Sequence, residues 1–243
     1  MLTTLQGIIL RTVKYSESSV ICEIYTREFG LRSYIMGGVR QSKAKIAYGL
    51  VRPMNWVEMV VYHKEEKDLN RVKELKPKIV YQNIPFNMIK GSLGLFMTEV
   101  VQKTVKESTE NETLYNFLQH SFETLDNTDG GLANFHLSFV SKLALHLGIM
   151  PDLGFSGEES SDLFFDYVEA VFCEEQPLHP YYFRPEQNAF LFFFLENSLE
   201  MSAELKMSTA QRRAFVETVL NFYRYHFEHF QIHSHEILHQ VLS

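Results

Sequence analysis

Polar and apolar positions alternate along the first third of the chain and then change to helical spacing. Ile8 to Tyr15, Ser19 to Thr26 and Leu31 to Met36 are short runs rich in β-branched and aromatic residues. They are separated by Glu17-Ser18 and by Glu28-Phe29-Gly30, where Gly30 can supply the positive φ of a tight connection. Within the second run Val20, Cys22 and Ile24 fall on one side and Glu23 and Tyr25 on the other, as in a sheet with one wetted face. A polar, basic stretch follows from Val39 to Ala47, and then two further strands are predicted over Trp56 to His63 and Leu69 to Val80.

Beyond Pro85 the apolar period becomes 3.6. Ile89, Leu93, Phe96, Met97, Val100 and Val101 share one helical face; Leu114, Phe117, Leu118, Phe122 and Leu125 share another, with Thr113 expected as N-cap. After a turn at Asn127 to Gly131, a third helix is predicted from Leu132 to Leu147, stopped by Gly148 and Pro151. The segment Gly154 to Pro185 mixes Gly, Ser, Pro and acidic residues with short aromatic runs, Leu163 to Tyr167 and Val171 to Cys173, and reads as a small hairpin. Ala189 to Leu199 is apolar nearly all round and so reads as a buried helix. A capping box at Ser208 to Gln211 opens a long helix through Phe230, and Ser234 is expected to cap a last short one.

Taken together the elements predict an α+β chain: an N-terminal five-stranded OB-fold β-barrel over 1–80, then an α-helical domain over 81–243 with a small β-hairpin insertion at 154–185. Small barrels of this type bind single-stranded nucleic acid on a strand face and its flanking loops. Charge divides the chain at the same place. Residues 1–80 hold 14 Lys and Arg against 8 Asp and Glu, a net +6, whereas 81–243 hold 9 against 22, a net −13. A positive surface recruits polyanions and a negative one repels them, so the barrel is the polyanion-binding candidate, the alternative being a merely solvated basic face.

The candidate contacts are Arg40, Lys43 and Lys45 in the basic connection, Arg32 and Tyr34 on the strand before it, and Arg52 just beyond; Arg11 and Lys14, with Tyr15, extend the surface from the first strand. Cations serve phosphates and rings serve bases. Tyr34 is equally readable as a core residue. The remaining composition is that of an ordinary globular chain. The longest apolar run, Ala189 to Leu195, is far short of the roughly 20 residues that span a bilayer, and the first residues lack the pattern of a leader, so neither export nor membrane insertion is expected.

Catalytic motifs are sparse. No G-x-x-x-x-G-K-[ST], G-x-G-x-x-G or G-x-S-x-G string occurs. His235-Glu236-Ile237-Leu238-His239 matches H-E-x-x-H, which would make a metal-dependent hydrolase, but only four residues follow in which to find a third ligand. A histidine-rich wet helix face is the plainer reading. Cys22 and Cys173 are too few for a disulfide framework or a cysteine zinc site.

Several ordered segments resemble the bacterial RecO family of DNA-repair recombination mediators. They are Gly7-Ile8-Ile9-Leu10-Arg11, Phe29-Gly30-Leu31 followed by Gly37-Gly38-Val39-Arg40, Leu143 to Leu153 (LALHLGIMPDL) and Ile232 to Leu238 (IHSHEIL). The resemblance implies an N-terminal OB-fold, a helical domain, no enzymatic turnover and no cofactor, in a cytoplasmic, nucleoid-associated protein. It further implies binding of single- and double-stranded DNA and annealing of complementary strands. The implied partners are RecR, the C-terminal tail of the single-stranded-DNA-binding protein and, in some lineages, RecF, acting to load RecA. Many members carry a four-cysteine zinc finger after the G-x-x-P motif; here that segment has only Cys173, so no structural zinc is expected, with Phe164, Phe165, Tyr167 and Phe172 holding the hairpin instead. An OB-fold adaptor for RNA or protein would show the same barrel and charge division.

Overall fold

A computed structural model describes residues 1–39, 41, 44–64, 67–150 and 162–242 of the 243. The chain packs as two units, one formed by Met1–Gln82 with Thr98–Gln119 and the other by Asn83–Met97 with His120–Ser243. This division differs from the expected boundary at residue 80, because residues 98–119 pack with the barrel.

Five strands, β1 (Leu2–Lys14), β2 (Val20–Thr26), β3 (Gly30–Met36), β4 (Trp56–Tyr62) and β5 (Leu69–Pro77), close into a barrel in the order β1-β2-β3-β5-β4. The long β1 makes closure possible: its first half pairs with β4, from Leu2 opposite Tyr62 to Ile8 opposite Trp56, and from Gly7 onward it pairs with β2. At Gly7 a β-carbon would lie 2.5 Å from the Tyr25 carbonyl oxygen, so only glycine lets the strands approach where β1 passes from one neighbour to the other. Between β3 and β5 the pairing is parallel and covers only Ser33–Ile35 against Leu69–Arg71.

Val20, Cys22 and Ile24 enter the barrel core with Leu5, Val57 and Met59, as their alternation predicts. Tyr25, however, is buried rather than wetted. It shares the outer face with Ile8 and Trp56, its neighbours across β1, and residues 98–119 cover that face. The Trp56 and Tyr115 rings meet edge to face at 5.4 Å, the Tyr25 hydroxyl donates to the Asn111 carbonyl at 3.4 Å, and Lys78 Nζ reaches both Tyr115 Oη and Gln119 Oε1 at 2.9 Å. The 105–111 segment also clamps the start of β3: the Glu107 carbonyl accepts from Leu31 N–H at 2.9 Å and the Ser108 side-chain hydroxyl donates to the Leu31 carbonyl at 3.1 Å. Gly30 adopts φ +60°, and a β-carbon there would lie 2.4 Å from the Thr109 carbonyl oxygen.

Two helices, α1 (Met88–Thr104) and α2 (Glu112–Asn127), contribute to both units; α3 (Phe135–His146), α4 (Pro185–Glu196), α5 (Thr209–His226) and α6 (Ser234–Val241) belong to the second. The N-terminus of α2 is held by Asn111, whose Oδ1 accepts from Leu114 N–H at 3.0 Å, rather than by the expected Thr113. The capping box of α5 is present: Ser208 Oγ accepts from Gln211 N–H at 3.2 Å and Gln211 Oε1 accepts from Ser208 N–H at 2.8 Å. That helix stops at His226, short of the expected Phe230, because Phe227 is already extended. His233 occupies the N-cap position of α6 and Ser234 is its first residue.

The expected hairpin is a three-stranded sheet of β6 (Phe164–Asp166), β7 (Val171–Cys173) and β8 (Tyr182–Phe183) in the order β7-β6-β8. Phe165 packs at a tilt on Phe172, with ring centroids 5.0 Å apart, and on Phe183 at 6.0 Å, while Tyr167 meets Phe222 of α5 edge to face at 5.3 Å. The part of the 154–185 segment before Asp162 lies outside the described residues. Among the described residues, no helix is long and apolar enough to cross a membrane.

Candidate nucleic-acid interface

Where β3 and β5 part after their three paired residues, the barrel surface opens into a groove of about 830 Å³. Its wall is built from Ser18 and Ser19 of the β1–β2 turn, Gly37 and Gly38 at the end of β3, Gln41 and Ala44–Ile46 of the basic connection, Tyr62 of β4, and Arg71–Lys73 of β5. Alternation along β5 explains the cations. Val72 points into the core, so Arg71 and Lys73 on either side of it point out. A bulge in the β4–β5 ladder then sets Val61 opposite Val72 and Val60 opposite Glu74, leaving Lys73 as the extra residue and placing Lys73 and Glu74 both outward. They form an ion pair at 3.2 Å. Ile46, buried in the core, anchors the connection and leaves its neighbour Lys45 exposed at the groove.

A second concavity of about 350 Å³ continues past Lys45 and Lys73 along Glu58 and Lys76. Here the charges are internally matched: Lys76 pairs with Glu58 at 2.7 Å, and hydrogen bonds from Lys76 and then Gln6 hold the Glu58 carboxyl below the usual carboxylate range. In the first groove, by contrast, Lys45 and Arg71 have no carboxylate within 4 Å among the described residues, and the same holds for the exposed Lys14 and Arg52 outside it. An exposed ring, Tyr62, stands beside those cations. The groove therefore offers the positive charge of Lys45 and Arg71, hydroxyls and an aromatic face to a ligand with phosphates and bases.

The structure sorts the residues chosen from sequence. Lys45 lies in the groove, and Lys14 and Arg52 are exposed on the barrel. Arg11 is taken up by Glu23, at 3.2 Å. Arg32 donates to the Ser108 carbonyl at 3.2 Å and so serves the 105–111 clamp. Tyr34 is a correction: it is wholly buried among the core residues, its phenol pushed up to about 12 by burial, and no base can stack on it. Arg40 and Lys43 lie outside the described residues. Sequence reading missed Arg71, Lys73 and Tyr62. The Arg71-Val72-Lys73 alternation at the start of the fifth strand was the available signal.

The other candidate constellations lie in the second unit. His235 and His239 sit one turn apart on α6 with ring centroids 5.8 Å apart, and among the described residues no three His, Cys, Asp or Glu side chains gather to hold a metal ion. The Cys173 thiol lies 3.8 Å from the Phe164 carbonyl, and burial raises its pKa. His179, the histidine near it in sequence, instead contacts Asp166 at 3.1 Å.

A closed five-stranded barrel with a long shared first strand, followed by a helical region carrying a small sheet, defines an OB-fold protein of two compact units. The family model Recombination protein O N terminal matches residues 1–80 and Recombination protein O C terminal matches residues 85–236, and the chain belongs to this RecO family. It is 29% identical over 244 residues to the DNA repair protein RecO of Phocaeicola vulgatus, covering 100% of both chains. With the DNA repair proteins RecO of Bacteroides fragilis and Christiangramia forsetii it shares 30% identity over 233 residues, covering 96% and 95% of this chain and 95% of each relative.

Proposed function

We propose that this protein acts in DNA repair as a recombination mediator, binding single- and double-stranded DNA through the barrel groove and annealing complementary strands. The observation that carries the reading is the convergence of Lys45 and Arg71 beside Tyr62 in one groove of a RecO-family barrel. Cations there lower the phosphate repulsion between two strands while base edges stay free to pair. Annealing by this route forms and breaks no covalent bond, so the protein needs no catalytic residue and no cofactor.

Arg40 and Lys43, which belong to the same connection as Lys45, and Lys14 and Arg52 extend the binding surface. The helical region, with its negative charge, turns to protein partners: RecR, the C-terminal tail of the single-stranded-DNA-binding protein and, where present, RecF, so that RecA is loaded on gaps.

Anisotropy titration of a labelled single-stranded oligonucleotide at several salt concentrations tests the reading. Affinity should fall linearly in log K against log salt, with the slope reduced by roughly 1 for each contacting cation removed. Absence of binding at low salt, or a marked preference for RNA, would favour an adaptor instead.

A further inference from the structure

Away from the barrel, two tyrosine rings form an exposed ledge on the second unit. Tyr181, just before β8, and Tyr225, in the last turn of α5, are 44% and 45% exposed, and their ring centroids lie 5.8 Å apart. Both rest on Tyr167, which is buried and lies 6.1 and 5.7 Å from them, itself packed edge to face on Phe222. The ledge is held in shape from below. Asp166 Oδ1 accepts from Val168 and Glu169 N–H at 2.9 and 3.3 Å, Asp166 Oδ2 contacts His179 Nε2 at 3.1 Å, and His179 Nδ1 accepts from Tyr181 N–H at 3.2 Å. Two adjoining rings make a contiguous patch, and a partner that covers it gains favourable free energy.

The surrounding charge says which partner fits. From residue 162 to 180 the chain has five carboxylates and no Lys or Arg, and Asp162, Glu169, Glu174 and Glu175 are exposed. The adjoining Arg224 is taken up by Glu217 at 2.8 Å and Asn221 at 2.6 Å, which leaves the exposed Arg184 as the cation that follows this segment. Ring faces carry negative quadrupole potential, and the Asp166 carboxylate, linked to Tyr181 through His179, adds to it in a segment without Lys or Arg; a guanidinium or ammonium is attracted to such a place and a phosphate is repelled. We propose that the Tyr181–Tyr225 ledge is a docking surface for an arginine- or lysine-bearing segment of a partner protein, with a cation over the rings and further cations drawn by the exposed carboxylates of the 162–180 segment.

The test uses the full chain and two fluorescein-labelled nonapeptides, one alternating Arg with Gly and the other alternating Glu with Gly. The Arg peptide should bind and the Glu peptide should not. Tyr181→Ala with Tyr225→Ala should weaken the Arg peptide at least about 10-fold at unchanged circular dichroism, while Tyr181→Phe with Tyr225→Phe, which keeps both ring faces, should retain its affinity. Equal binding of the Arg peptide by the wild type and the double alanine variant would overturn the proposal, because attraction to the overall negative charge would then suffice. It would also fail if the double alanine variant lost affinity for a single-stranded oligonucleotide and not for the Arg peptide, since the rings would then be stacking bases.

Discussion

Arg71 stands opposite Ile35 in the short parallel pairing of β3 and β5, and its guanidinium reaches over the end of β3 to within 3.5 Å of where a β-carbon on Gly37 would lie. The place where the barrel is least tightly paired is thus also where a cation with no carboxylate within 4 Å among the described residues meets a strip of bare backbone. A polyanion approaching there meets charge without a bulky side chain at Gly37 in its way.

Arg71→Ala is accordingly expected to weaken DNA binding and to lower the salt slope by roughly 1, and Lys45→Ala to do the same. Arg11→Ala should change the slope little, because its charge is already answered by Glu23. Anisotropy titrations of the three variants between about 50 and 200 mM salt decide this, a range over which each phosphate contact shows clearly.

The two tyrosines should separate stacking from packing. Tyr62→Ala is expected to cost about 1–3 kcal/mol of single-strand binding with little loss of stability, as an exposed stacking ring would. Tyr34→Ala should cost about 3–5 kcal/mol of folding stability, as removal of a buried ring from a close-packed core does. Tyr34→Phe should leave DNA affinity unchanged, in urea denaturation and anisotropy run side by side.

Residues 1–80 expressed alone should be markedly less stable than the barrel in the whole chain, because the face of Ile8, Tyr25 and Trp56 would lose its cover from 98–119. A second variant probes the same contact in the intact protein. Gly30→Ala forces a side chain into the left-handed region and against the Thr109 and Glu107 carbonyls, and is expected to lower stability by more than about 1 kcal/mol in thermal or urea unfolding.

His136 should make stability fall in acid. Burial lowers its pKa from the ordinary 6.5 to about 3, helped by the nearby charges of His239 and Arg212, so in the folded protein it stays neutral over a range where the unfolded chain is protonated. The unfolded state then binds the extra proton between pH 6.5 and 3, and stability declines as pH drops through that window by up to about 1.4 kcal/mol per unit. His136→Phe should flatten that part of the curve, measured by urea denaturation at intervals between pH 7 and 4.

Treatment with a chelator is expected to leave the melting temperature unchanged, with no stoichiometric zinc found by elemental analysis. The small sheet has its own aromatic core, in which Phe165 joins Phe172 and Phe183 and Tyr167 joins Phe222. One tight zinc per chain would show that Cys173 has metal-binding partners after all.

Much of this protein was determined by local sequence. Alternation placed β2 to β5 but began β1 at Ile8 and so missed Leu2–Gly7, the half that pairs with β4; the change of period at Pro85 placed the helices, and the Ser208–Gln211 capping box marked the start of α5 to the residue, because each of these signals depends on neighbours a few positions apart. The charge division was equally visible, since composition does not depend on folding. What tertiary structure alone decided was which face each strand residue met. Tyr34 and Tyr62 are both strand tyrosines, yet barrel closure turned one inward and left the other at the groove; Tyr25 looked wetted until residues 98–119, more than 70 positions away, covered it. Arg71 and Lys73 became part of a site only because parallel pairing of β3 and β5 ends after three residues and a bulge redirects the strand. Those choices rest on contacts between distant segments, which local spacing does not encode.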